Sequence, residues 1–369
     1  MIRHLYVHLP FCAQRCGYCD FVTVVGRRGS HRLYVDALLA ELELERLRVG
    51  APLETVFVGG GTPTFTEPAE LRRLLKALPA AAEVTVEANP ETVTPRIASL
   101  LREGGVNRVS LGAQTFDREL LQVLDRVAGP DDVRRAFYHL RDAGFDNISL
   151  DLIYGIPGQS AAALDADIDE ALALGPEHLS CYELEAKPGT RFTHRHGGEL
   201  ARQADALEGY FERVVDRLTG AGYRWYETAN FCRPAPAAGG RDLRAQHNLG
   251  YWLGHDYLGL GIGAVSTVHG RRWRNTPRLG AYLAALSAGE TPPRDVEALP
   301  VDVRMQERVM LGLRLDEPLP LAGLDAVVDA VALERLERLE LLARDDGGAV
   351  TLTPRGRRLG GGVTAELLA

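Results

Sequence analysis

Cysteine is scarce in this 369-residue chain, and three of its five cysteines fall within eight positions, at Cys12, Cys16 and Cys19. That distribution argues against a disulfide framework and suits a reducing compartment. Long apolar runs are missing as well; none approaches the roughly 20 residues needed to cross a bilayer. The N-terminus shows no basic leader followed by an apolar stretch, so a cytoplasmic location is expected, with peripheral membrane contact left open. Positive charge is not in excess. The net charge of −8 opposes broad nucleic-acid binding, which needs a basic face, and no nucleic-acid partner is expected. The phosphate-binding glycine patterns are also absent at the one glycine run that follows a strand, Gly59-Gly60-Gly61-Thr62-Pro63-Thr64: it is neither GxxxxGK[ST] nor GxGxxG. What remains is ordinary globular composition, 25% charged and 46% hydrophobic, in a chain long enough for one large domain and a smaller one.

The three cysteines follow a strand-like run, Leu5-Tyr-Val-His-Leu9, which Pro10 closes because proline cannot continue a ladder. They therefore lie on a loop at a strand's C-terminal end, where parallel α/β proteins carry their chemistry. Three thiolates on one short loop can converge on one metal centre. A closed zinc site wants four ligands, which His4 or His8 would have to complete. A 4Fe–4S cluster held by three cysteines keeps one iron free for a small molecule.

Beyond the loop, strand and helix signals alternate. Helical spacing covers 31–49, 67–78, 94–103, 118–124, 130–143, 160–174 and 201–218. Strand signals fall at 54–58, 83–87, 106–111, 147–153, 178–184 and 223–228. Alternation of this kind predicts a parallel sheet with helices outside; short runs that are apolar on both faces suit buried parallel strands, while Glu83-Val-Thr-Val-Glu87 reads as a strand of period two. Six or seven such units are too few for a closed eightfold barrel. The expected fold is α/β: a partial (β/α) barrel open on one side. Its C-terminal strand ends would gather Gly59–Gly61, Glu87, Gln114 and Asp151 around the cysteine loop. The segment 233–242 reads as a linker, dividing the chain into 1–232 and 233–369. Helical patterns at 303–315 and 333–342, followed by a hairpin over 341–353, resemble a winged helix and complete a smaller, mostly helical C-terminal domain.

Taken singly, the other motifs have plain structural explanations. The glycine run would be a tight turn, Glu87 a carboxylate at a strand end, and Arg126 a helix-surface cation. Their chemistry is nonetheless suggestive: glycines let backbone approach a ligand, a carboxylate accepts ribose hydroxyls, and a guanidinium pairs with a carboxylate. His247-Asn248-Leu-Gly-Tyr251-Trp252 groups an imidazole, an amide, a phenol and an indole, types that can ligate or pack against a porphyrin. His194-Arg-His196-Gly-Gly reads as a solvated loop, and Cys181 as a buried small hydrophobe.

In combination these motifs are more specific. The order YVHLPFC…CxxC, GGGTPT, VEANPE, RVSLGAQ, DLIYGIPGQ, PGT and HNxxYW resembles the radical S-adenosylmethionine family of oxygen-independent coproporphyrinogen oxidases and their relatives. The resemblance spans nearly the whole chain. It implies a radical S-adenosylmethionine barrel with a HemN-type C-terminal domain, and a 4Fe–4S cluster on Cys12, Cys16 and Cys19. It further implies S-adenosylmethionine contacts from Gly60, Gly61, Thr62, Glu87, Gln114, Arg126 and Asp151, with Tyr6 and Tyr18 beside the loop.

Within that family the chain sides with haem-binding chaperones rather than oxidases. The oxidases would have a fourth cysteine two residues after the third; here that position is Phe21. They also carry an extension ahead of the first strand, which here begins within five residues of Met1. HNxxYW marks the chaperones, making His247, Asn248, Tyr251 and Trp252 the haem-binding candidates. Histidines that relatives place near Ala128 and Val265 are missing here, which leaves His247 as the candidate ligand. The implied function is delivery of haem to acceptor proteins such as respiratory enzymes, with an electron donor for the cluster and room for a homodimer. The rival readings are oxidative decarboxylation of coproporphyrinogen III and a non-enzymatic zinc-binding interaction protein.

Overall fold

The computed structural model describes residues 1–368. Six parallel strands lie side by side in chain order: β1 (His4–Leu9), β2 (Leu53–Gly60), β3 (Ala81–Ala88), β4 (Arg108–Gln114), β5 (Ile148–Tyr154) and β6 (His178–Glu183). Helices cross between them, as parallel neighbours require. The arrangement is the open β/α barrel that the alternation predicts.

The strands are not apolar on both faces. β1 alternates strictly, His4-Leu5-Tyr6-Val7-His8-Leu9, and Glu83-Val-Thr-Val-Glu87 and Arg108-Val-Ser-Leu do the same. Leu5, Val7, Leu9, Val86, Val109 and Leu111 join the main apolar core, while Tyr6, Glu87, Arg108 and Ser110 line a cavity inside the barrel. A period of two puts alternate residues on opposite faces. A polar lumen on these strands is what a barrel built around a polar ligand requires.

The sheet also runs past the expected linker. The strand Asn230–Cys232 pairs antiparallel with β6, and Arg224–Glu227 pairs outside it. On the other edge, Tyr257–Leu260 pairs parallel with β1 and is followed by Val265–Val268, Arg271–Asn275 and Arg294–Ala298, all antiparallel. The glycine-rich stretch 259–263 is thus partly a strand of the barrel sheet. Glu41, fully enclosed on the first helix (His31–Leu44), ties that edge down. Its carboxylate accepts from the Gly261 N–H (2.8 Å), Asn275 Nδ2 (2.7 Å) and the Tyr282 hydroxyl (2.7 Å).

Two local readings are corrected. The stretch around His194 and His196 is not a solvated loop but part of a helix, Arg191–Gln203, started by Thr190, whose side chain accepts from the Thr193 N–H. The long helix expected over 201–218 is broken at Ala204–Ala206 into that helix and Leu207–Gly220.

A separate apolar cluster, from Val309 to Leu367, forms the C-terminal unit. It contains the helices Val301–Gly312 and Ala330–Arg338 and the hairpin Leu342–Arg344/Ala349–Leu352, with Leu319–Pro320 as a third strand. This is the helix–helix–hairpin of a winged helix. Among the described residues no helix is long and apolar enough to cross a membrane.

Candidate functional site

The loop after β1 is fastened at several points. A short parallel pair, Phe11–Cys12 with Val24–Val25, clasps its base. The Gly26 N–H donates to the Cys12 carbonyl (3.1 Å), and Arg15 reaches the Cys19 carbonyl through Nη2 (3.0 Å). Gln14 Nε2 donates to the Asp125 carbonyl (2.7 Å), and the Gly17 N–H to that of Leu124 (3.3 Å), docking the loop on the segment after β4. The Tyr18 ring packs against an apolar cluster containing Leu120, Leu124 and Ile153.

The glycine run passes beside this loop because it has no side chains. A Cβ on Gly61 would sit 2.6 Å from the Pro10 carbonyl and 3.0 Å from Cys12 Sγ. Gly60 has φ +114°, which suits glycine alone, and its Cβ would strike the His8 ring. The Gly60 N–H donates to Glu87 Oε2 (2.9 Å). Thr62 Oγ1 donates to Cys12 Sγ (3.6 Å) and accepts from Asn89 Nδ2 (2.9 Å). Asn89 Oδ1 in turn accepts from Arg126 Nη2 (3.2 Å), which also reaches the Gly112 carbonyl (2.9 Å), while Arg126 Nη1 lies 3.8 Å from Cys16 Sγ. A register shift between Gly112 and Gln114, with Gln114 at φ 66°, re-aims the end of β4 toward the cavity. Asp151 accepts from Ser110 Oγ (3.0 Å) and Ser149 Oγ (3.2 Å).

These residues line one cavity of ≈ 550 Å³. It brings together Cys12, Cys16, Cys19, Tyr6, Tyr18, Gly60, Gly61, Thr62, Glu87, Gln114, Arg126 and Asp151. Of the haem-binding candidates only Asn248 reaches it. His247 is 1% exposed, with Nδ1 2.7 Å from Thr55 Oγ1 and Nε2 2.8 Å from the Tyr251 hydroxyl. Burial lowers its pKa to about 3, so it is a neutral ring with both nitrogens engaged. Trp252 packs instead under the Arg314 guanidinium.

Sequence reasoning missed Asn89, Ser110 and Arg108. Asn89 was visible in VEANPE, two residues beyond Glu87. Arg108 is only 2% exposed and lines the cavity; its Nε has no hydrogen-bond partner among the described residues.

The donor set fits a 4Fe–4S cluster. Three thiols from one loop face one cavity, and no further cysteine lines it among the described residues. Neither histidine near the loop in sequence joins them: His8 bonds Tyr6 and the Val22 carbonyl, and His4 sits at the far end of β1. Burial pushes the Cys12 thiol up to about 11 and raises that of Cys19, partly offset at Cys12 by the Thr62 hydroxyl. A bound cation would favour the thiolate form of Cys12 and Cys19.

Burial also raises Glu87 to about 7, against the Gly60 N–H and with the Asp151 charge adding to the rise. The folded protein thus binds this proton more tightly than the unfolded chain, whose glutamates titrate at about 4.3. The stability Glu87 contributes is complete below that pH and is lost as pH climbs through the folded value. In the ligand-free protein, Glu87→Gln is expected to flatten the loss of thermal stability across that window. Parallel pH–stability curves for the two proteins would refute it.

An open barrel with three cysteines beside its first strand and a polar cavity at its strand ends defines a radical S-adenosylmethionine protein. The Radical SAM superfamily model matches residues 6–171, and the HemN C-terminal domain matches residues 299–359. The chain belongs to the HemW family within that superfamily. It is 39% identical to the heme chaperone HemW of Mycobacterium tuberculosis, over 99% of this chain and 94% of that protein. The heme chaperones HemW of Bacillus subtilis (33%, covering 100% and 99%) and Escherichia coli (37%, covering 80% and 78%) are similar in the same way. Among solved structures, coproporphyrinogen III oxidase (HemN) from Escherichia coli, described as a radical SAM enzyme, shares the fold. Its TM-score is 0.78 at 24% identity, over 98% of this chain and 89% of that one. Membership of the superfamily implies a 4Fe–4S cluster and S-adenosylmethionine.

Proposed function

We propose that this protein is a haem chaperone: it binds a 4Fe–4S cluster, S-adenosylmethionine and haem, and passes haem to acceptor proteins such as respiratory enzymes. The observation that carries the reading is the end-to-end similarity to heme chaperones HemW. Phe21 supports it. Its ring is 62% exposed at the cavity's edge, an apolar surface where an oxidase would have its fourth cysteine.

Cys12, Cys16 and Cys19 would hold the cluster, which would supply the electron for any reductive cleavage of S-adenosylmethionine. Glu87 and Asp151 offer carboxylate oxygens to the nucleoside hydroxyls. Arg126 and Thr62, joined through Asn89, shape the wall beside Cys12 and Cys16. Because both nitrogens of His247 are engaged, its first role is to hold its helix; Asn248 carries the HNxxYW segment to the cavity, and haem ligation by His247 would require release from Thr55 or Tyr251.

Haem titration of the anaerobically reconstituted protein tests the reading. One haem per chain is expected, seen as a shifted Soret band. Cleavage of S-adenosylmethionine without haem binding would overturn it, and protoporphyrinogen IX formed from coproporphyrinogen III would establish the oxidase instead.

A further inference from the structure

At the opposite end of the barrel from the cysteine loop, three ligand-type side chains converge. The sheet register explains why. His4 opens β1 and lies between Thr55 on β2 and Tyr257 on the neighbouring strand. Glu54 precedes Thr55, and His255 stands two residues before Tyr257, so all three side chains meet at one strand end. His4 Nε2 is 3.1 Å from His255 Nδ1 and 3.1 Å from Glu54 Oε2. The donor atoms of the three residues all lie within 4.8 Å of one another. Ligands at zinc–nitrogen and zinc–oxygen distances of about 2.0–2.2 Å stand about 3.3–3.6 Å apart in a tetrahedron; the two pairs that His4 makes are near this at 3.1 Å each, and the His255–Glu54 pair lies within 4.8 Å.

The other nitrogen of His4 is committed. Nδ1 lies 2.9 Å from Thr55 Oγ1, which is itself 2.7 Å from His247 Nδ1. A metal on His4 Nε2 leaves the proton on Nδ1 to donate to Thr55. The Thr55 hydroxyl then donates to His247 Nδ1, and His247 Nε2–H donates to the Tyr251 hydroxyl (2.8 Å). A histidine ligand oriented through its second nitrogen in this way is the usual outer-shell arrangement of protein metal sites. An adjoining cavity of ≈ 390 Å³, lined by His4, Glu54 and His255, leaves room for water in the remaining coordination positions. Arg3 pairs with Glu54 through the other carboxylate oxygen, Oε1, and Oε2 faces His4.

We propose that His4, His255 and Glu54 form a second metal site, for a borderline divalent ion of the zinc type, distinct from the cysteine centre. Two imidazoles, one carboxylate and water suit such an ion. The site touches the HNxxYW helix through Thr55, so occupancy sets the tautomer of His247.

The test is Zn2+ titration of the full-length, cluster-loaded protein against a chromophoric chelator, under anaerobic conditions. One zinc per chain is expected beyond the cluster iron. His255→Ala, an exposed position, and Glu54→Gln should each weaken binding by about 10-fold or more. Zn2+ should also raise the melting temperature of the parent protein and not that of His255→Ala. No uptake beyond the cluster, or uptake indifferent to His255→Ala and Glu54→Gln, would overturn the site.

Discussion

Cys16→Ala is expected to yield a folded barrel that holds no stable cluster. The reason lies in the site's economy: three thiols are all the loop offers, and no further cysteine lines the cavity among the described residues. A 4Fe–4S cluster on two thiolates leaves two irons without protein ligands. The barrel itself does not depend on Cys16, which is partly exposed and absent from the main apolar core. Its folding stability without cluster should stay within about 0.5 kcal/mol of the parent, as for most substitutions away from buried features. After anaerobic reconstitution, iron content and the broad visible absorbance should fall to background while far-ultraviolet circular dichroism is unchanged. A full complement of iron in the variant would mean that the ligands are other residues.

The largest effect on stability is expected from Glu83→Ala. The helix Gln246–Trp252 starts at Ala245, which has no side chain to cap it. Its first N–H groups find a partner across the barrel instead: those of Gln246 and His247 donate to the two oxygens of Glu83, each at 3.2 Å. The carboxylate also faces the positive end of the helix dipole. Glu83 is buried, so alanine would leave two N–H groups at the helix start without their partner, that of His247 enclosed and that of Gln246 partly so. The cost is about 3 kcal/mol, visible as a lower denaturation midpoint. Under the proposed function, haem binding should weaken with it, because this helix brings the haem-binding candidate Asn248 to the cavity. Glu83→Gln, which keeps one acceptor oxygen, should cost less. Equal stability in Glu83→Ala and the parent would show that the helix start is held by other means.

How much was legible follows from how local each signal is. The cysteine loop, the glycine run and the polar ends of the strands are written in short motifs, and the parallel order of β1–β6 follows from strand–helix alternation. The strict alternation of β1 was equally visible, yet reading the strands as apolar on both faces hid the lumen it builds. His194 and His196 were misjudged because adjacent glycines resemble a loop, whereas Thr190 caps a helix there. The continuation of the sheet through Tyr257–Leu260 could not be read from local pattern, because its partner, β1, lies some 250 positions away.

The sequence by itself determined the family, the cofactor loop and the residues at the strand ends, since spacing along the chain dictates which thiols and carboxylates can share one loop or one face. Only the tertiary structure decided which of these meet. It joined Arg126, Asn89 and Thr62 behind the cysteines, closed both nitrogens of His247 against Thr55 and Tyr251, and set His4 beside Glu54 and His255. Those contacts depend on the register of strands distant in sequence, and register is set by packing the whole barrel, which no local motif encodes.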